Sequence, residues 1–126
     1  QADKNFSDKD YNLALEYCVE NHQEIAICAG THNEESSMFL TQLLDKYGIE
    51  KNNPNFYFAQ LLGMSDHISF NLSNNGYKVA KYVPYGPVKE VIPYLIRRAE
   101  ENTSVAGQTG RELSLISKEI KRRKLS

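Results

Sequence analysis

Three short apolar runs constrain this chain more than any other feature. They are "EIAICAG" (Glu24 to Gly30), "FYFAQLLG" (Phe56 to Gly63) and "YKVAKYVP" (Tyr77 to Pro84). The first has no polar alternation, which suits a strand buried on both faces, as in a parallel sheet. The second, rich in aromatics, reads as another buried strand, and the third ends at its proline. Helical patterns lie between and around them. From about Ser7, residues Tyr11, Ala14, Leu15, Cys18 and Val19 form one apolar stripe at helical spacing. In "THNEESSMFLTQLLDKYG", Asn33 predicts an N-cap, Glu34 and Glu35 suit the first turn, and Gly48 predicts the stop. A shorter helix is expected from Asp66 to about Asn74, closed by "NNG". Gly86 and Pro87 open a further helix with proline at its first position. Pro93 lies inside that helix and should kink or re-start it. Strands alternating with helices imply parallel strands joined by right-handed crossovers. These units are too few to close a barrel, so they form either a small doubly wound sheet or a piece of a larger α/β fold.

Length and charge fit that picture. The chain has 126 residues, 40% hydrophobic and 25% charged, enough for one ordinary domain with a real core. The formal net charge of −1 gives the molecule no global pull toward nucleic acid. No apolar run reaches the roughly eighteen residues that a transmembrane helix needs, and no secretory signal is expected. Cys18 and Cys28 sit in apolar patterns outside any CxxC arrangement and read as reduced core residues of a cytosol-like compartment. The whole chain reads as a single region, with residues 1–10 polar and expected to fray. An amphipathic helix closes it over residues 109–126, carrying Leu113, Ile116 and Ile120 on one stripe and Lys121 to Lys124 at its end.

In parallel α/β folds, ligands bind at the C-terminal ends of the strands. Three sets of residues stand there: Thr31-His32-Asn33, Gly63-Met64-Ser65-Asp66, and Tyr82 followed by Tyr85-Gly86-Pro87. His32 is read either as a helix-capping residue or as a polar donor to a cofactor or substrate. His22 and His67 lie in different elements without metal-ligand spacing, so no metal site is expected. Arg97 and Arg98 form the sharpest polar feature. Guanidinium forks match the two oxygens of a carboxylate, whereas the plainer reading is a solvated face with local ion pairs to Glu100 and Glu101. Tyr82 and Tyr94, taken alone, read as packed aromatics. The basic end of the last helix reads as satisfying the helix dipole, with a membrane-surface role as the second option.

Taken together, "THNEES", "FAQLLGMSD" and "YKVAKYVPYGPVKEVIPYLIRRAEEN" resemble the C-terminal part of the proline dehydrogenase (proline oxidase) family, a domain also found within proline utilization A. The resemblance runs from about Tyr11 to Asn102 and more loosely to the end. It implies an α/β fold that is the portion of a distorted (βα)8 TIM-type barrel from the sixth strand to the eighth helix. It also implies FAD as cofactor, L-proline oxidised to Δ1-pyrroline-5-carboxylate by hydride transfer to flavin N5, and a quinone as electron acceptor. Carried over by motif position, Arg97 and Arg98 would hold the proline carboxylate, Tyr82 would pack on the proline ring, Tyr94 would wall the pocket and Leu61 would line its floor. Thr31, His32 and Asn33 would contact FAD, and Glu101 would hydrogen-bond it. No residue of the chain is assigned as a catalytic acid or base. The family's location is cytoplasmic or peripheral on the inner membrane, on the matrix side in a eukaryote. A typical barrel takes about 250 residues, and the chain begins with Gln1, so a C-terminal piece is expected, inactive without the other βα units unless it self-associates. The alternative is a small non-enzymatic α/β module that binds an anionic metabolite or a protein partner through Arg97 and Arg98.

Overall fold

The computed structural model describes residues 4–103 and 106–124. Along them run α1 (Lys4–Glu20), β1 (Ile27–Gly30), α2 (Glu34–Lys46), β2 (Phe56–Leu61), α3 (Asp66–Asn74), β3 (Val79–Tyr82), α4 (Val88–Thr103) and α5 (Ala106–Lys124). The chain divides into two compact units, Gln1–Tyr82 and Val83–Ser126. The first holds a three-stranded sheet of order β1-β2-β3, with both neighbouring pairs parallel. That is the α/β alternation expected from the apolar runs. α1 starts at Lys4, ahead of the expected Ser7, so residues 4–10 are helical where fraying was anticipated.

The register assigns the two faces of the sheet. Ile27 is opposite Phe56, and Phe58 is opposite Val79. Side chains in register on neighbouring strands share a face, and successive residues alternate. Ile27, Ala29, Phe56 and Phe58 are buried in one cluster with Leu15 and Val19 of α1, Leu40, Leu43 and Leu44 of α2, and Ile68 and Leu72 of α3. Three helices therefore cover one face. The other carries Cys28, Gly30, Tyr57, Ala59, Leu61, Ala80 and Tyr82, and in β1 burial alternates strictly. This corrects the expectation that β1 is buried on both sides. Its run looks uniformly apolar because the uncovered face is apolar too. Cys28 is accordingly exposed and not a core residue, while Cys18 is half-buried against the helix-side core. Both cysteines are free.

Helix ends set where the chain re-enters the sheet. Asn33 caps α2, its side-chain oxygen accepting from the N–H groups of Glu35 (2.9 Å) and Ser36 (3.3 Å). At the other end Gly48 takes φ 64°. Its N–H donates to the Asp45 carbonyl (3.1 Å), and Ile49 N–H donates to the Leu44 carbonyl (2.8 Å). This is a Schellman closure, and α3 ends in the same way through Gly76 and Tyr77.

In the second unit, Pro87 stands one position before α4. Its carbonyl accepts from Glu90 N–H (2.9 Å) and Val91 N–H (3.0 Å), so it caps the helix and is not its first residue. α4 continues through Pro93 without the re-start expected there. Among the described residues, no helix is long and apolar enough to cross a membrane.

Candidate functional site

The uncovered face has a graded profile. Gly30, Ala59 and Ala80 lie side by side across the three strands, a shelf of small residues. A methyl group placed on Gly30 would meet nothing within 4 Å, so the shelf opens on free space. Two residues further along β2 and β3, Leu61 and Tyr82 stand in register at the C-terminal rim. Neighbouring strands are about 4.8 Å apart, so these two side chains form a single apolar wall above the shelf. Tyr82 is 55% exposed and Leu61 is partly covered.

Thr31, His32 and Asn33 lead from β1 into α2 and border that wall. Thr31 Oγ1 accepts from Asn33 N–H (3.0 Å), which tightens the turn. Capping of α2 belongs to Asn33, so His32 does not fill the capping role that was one reading of it. Instead it ties two loops together. Leu61 N–H donates to its Nε2 (3.4 Å), and Ser65 Oγ lies 2.8 Å from its Nδ1. With Nε2 as acceptor, the tautomer that satisfies both contacts carries its proton on Nδ1 and donates to Ser65.

Ser65 stands among the strand-end residues of the sequence analysis, but its conformation and its His32 contact were not foreseen there. It is buried and adopts φ 51°, ψ 40°, the left-handed region that a residue other than glycine rarely occupies. Before it, Met64 N–H donates to the Leu61 carbonyl (3.1 Å), closing a turn whose third residue, Gly63, has φ 77°. A type II turn requires glycine at that place. Below the turn, buried Gln60 donates to the Thr31 carbonyl (3.3 Å) and accepts from Ser69 Oγ (2.9 Å). Lys81 donates to the Met64 carbonyl (2.7 Å) and to Asp66 Oδ1 (2.8 Å). The loops after β1 and β2 and the end of β3 are thus bound to one another by polar contacts.

The arginine pair lies in the other unit, on α4. The guanidinium carbon of Arg98 sits 5.4 Å from the centre of the Tyr94 ring. Residues four apart share a helix face, whereas Arg97 points about 100° away from Arg98. Arg97 is exposed, and Arg98 and Tyr94 are half-buried. Glu101 belongs to α4, and its side chain lies outside the described residues. So the structure brings together Thr31, His32, Asn33, Leu61 and Tyr82 within one unit, and Tyr94 with Arg98 within the other. Among the described residues, no cluster of three or more histidines, cysteines or carboxylates could hold a metal ion.

A family model described as proline dehydrogenase matches residues 1–111. Proline dehydrogenase 1, mitochondrial, of Dictyostelium discoideum is 44% identical over 120 residues, covering 91% of this chain and 21% of its own. The Homo sapiens protein of the same name is 43% identical over 116 residues, covering 90% and 19%. Hydroxyproline dehydrogenase of Mus musculus is 44% identical over 129 residues, covering 99% and 28%. The chain thus spans about a fifth to a quarter of the length of these relatives. Among solved structures, proline utilization A from Bdellovibrio bacteriovorus, inactivated by N-propargylglycine, superposes with a TM-score of 0.74 at 30% identity, over 81% of this chain and 10% of that one. With the family model covering nearly its whole length, and a parallel α/β sheet beneath the match, the chain belongs to the proline dehydrogenase family.

Proposed function

We propose that this chain supplies the sixth strand through the eighth helix of an FAD-dependent proline dehydrogenase, which oxidises L-proline to Δ1-pyrroline-5-carboxylate. The observation that carries the reading is the rim of the uncovered face. Leu61 and Tyr82 form an apolar wall on which a small saturated ring would pack, next to the small residues Gly30, Ala59 and Ala80. The shelf carries no side chain beyond a methyl group, and an atom added at Gly30 meets nothing within 4 Å, which supports a planar ring such as a flavin lying against it. Thr31, His32 and Asn33 border that space and would hold the cofactor, with Glu101 contributing from α4.

FAD held there would supply the redox chemistry, an acceptor for the hydride of proline with a quinone as the final electron acceptor. The chain's own residues bind and orient. Arg97 and Arg98 hold the substrate carboxylate, Arg98 aligned by the Tyr94 ring beneath it. Tyr82 covers the proline ring, and Leu61 lines the floor. No side chain of this chain is required as a base if proline binds with its nitrogen deprotonated. Mitochondrial names among the relatives favour the matrix side of the inner membrane in a eukaryote, with peripheral attachment. The alternative, a non-enzymatic module that binds an anion through Arg97 and Arg98, accounts for the arginines and leaves the shelf and wall without a purpose.

The test is the visible spectrum of the full-length parent with and without proline, beside the 126-residue chain alone. A yellow parent bleached by proline, with a colourless short chain, is the expected result. A full-length parent that binds no flavin rejects the dehydrogenase reading and leaves the binding module.

A further inference from the structure

Lys81 lies on the helix-covered face of β3, in register with the buried Gln60 and one residue before Tyr82. An ammonium brought there, its side chain only 23% exposed, has to be met by oxygens. It is met by Met64 O at 2.7 Å and Asp66 Oδ1 at 2.8 Å, with Leu61 O at 3.5 Å. The three oxygens run from the last residue of β2, through the connection, to the first residue of α3. That connection needs holding, because Gly63 and Ser65 both sit at positive φ (77° and 51°) and such a backbone persists only where its surroundings enforce it. Ser65 is held from one side by His32. The Lys81 clamp holds the turn from the other.

A lysine paired only with Asp66, whose side chain is 56% exposed, would be an ordinary surface ion pair of little consequence. The contact to the Met64 carbonyl, shorter than the ion pair itself, makes it a fastening of backbone to strand. The turn begins at Leu61, and Tyr82 follows Lys81 directly. Hence the clamp ties the turn that follows Leu61 to the strand that carries Tyr82, and the Ser65–His32 contact links that turn to the loop after β1.

We infer that Lys81 is a positioning residue of this site: beyond the backbone pairing that sets the Leu61–Tyr82 spacing, its ammonium fastens the β2–α3 turn to the end of β3 and so holds that wall in place. This inference rests on the reading of that pair as the proline-ring wall.

The experiment uses the full-length, flavin-loaded enzyme with Lys81→Met, Lys81→Arg and Asp66→Asn, each alone and Lys81→Met also with Tyr82→Ser. Misplacing a binding wall by a fraction of an ångström should raise the proline KM about tenfold in Lys81→Met while kcat stays within about twofold. Lys81→Arg should recover most of that loss. Because Lys81 acts through the wall, its penalty should largely disappear in the Tyr82→Ser background; additive penalties overturn the proposal. Backbone hydrogen exchange at residues 62–66 should quicken in Lys81→Met. An unchanged rate rejects the clamp, and a quickened rate with an unaltered KM rejects its role in positioning. If Lys81→Met does not fold, Asp66→Asn serves in its place, with a KM increase of about threefold expected and an unchanged KM counting against the proposal. A wild-type parent that proline fails to reduce sinks the proposed function instead, and the exchange comparison still decides whether the clamp exists.

Discussion

Tyr82 and Arg98 show how a residue's role depends on what stands beside it. Tyr82 is half-exposed and owes its position to the Leu61 pairing, so replacing it with serine removes a wall and leaves the core intact. Tyr82→Ser should therefore weaken proline and narrow the preference for proline over ring-substituted analogues, read as the ratio of their kcat/KM values. Equal changes for proline and hydroxyproline would return Tyr82 to mere packing. For Arg98→Met, a carboxylate losing a charge-assisted partner should cost about 2–5 kcal/mol of substrate binding, seen as a steep rise in the proline KM. An unchanged KM would refute the carboxylate role. The arginine pair and both tyrosines are legible in the sequence as residue types at a given spacing, and Tyr94–Arg98 contact follows from a helix repeat of about 3.6 residues. Ser65 is not legible. A serine before "DHISF" reads as an ordinary N-cap, yet it makes no side-chain cap bond and sits in the left-handed region. Its hydroxyl is met instead by His32, which is distant in sequence.

Elements in this chain owe their ends to local chemistry, and there the sequence reads well. Asn33 caps α2 and Gly48 closes it as their residue types require. Gly48→Ala places a side chain in the left-handed region, where L-residues are disfavoured by about 1–2 kcal/mol. Space is not the problem, since nothing lies within 4 Å of the added atom. The variant should thus lower the thermal midpoint of the full-length protein without altering proline KM; an unaltered midpoint would mean that the helix ends differently in solution. β1 was harder to read. Apolar residues on both sides of a strand signal two covered faces, and here one row is covered by α1, α2 and α3 while the other holds Cys28 and the shelf. At Pro93 the re-start, one of the two outcomes expected, does not occur. A proline removes one donor in α4, but the surrounding turns keep the helix continuous.

At the scale of the whole molecule, the uncovered face is the dominant feature. Cys28, Tyr57, Leu61 and Tyr82 form an apolar row without helix cover, and exposed rows of this kind mark surfaces that other protein occupies. In the family's barrel, the remaining strands would close over that row. The 126-residue chain on its own should hold no flavin and should self-associate as concentration rises, which sedimentation velocity would show. A monodisperse monomer at high concentration would argue that the row is tolerated in water. The parallel order of the strands was readable from the alternation of runs and helices. The site's halves were readable only as neighbourhoods, because register decides which residues share a face, and a shift by one residue would exchange every inward and outward side chain.

The placement of the two thiols has a practical consequence. Cys28 lies on the uncovered face, and Cys18 lies half-buried against the helix-side core. Barrel closure would enclose the first and leave the surroundings of the second unchanged. Alkylation speed at Cys28, divided by that at Cys18 in the same tube, therefore becomes a chemical clock for assembly. It should run fast while that face is open and slow where further strands cover it.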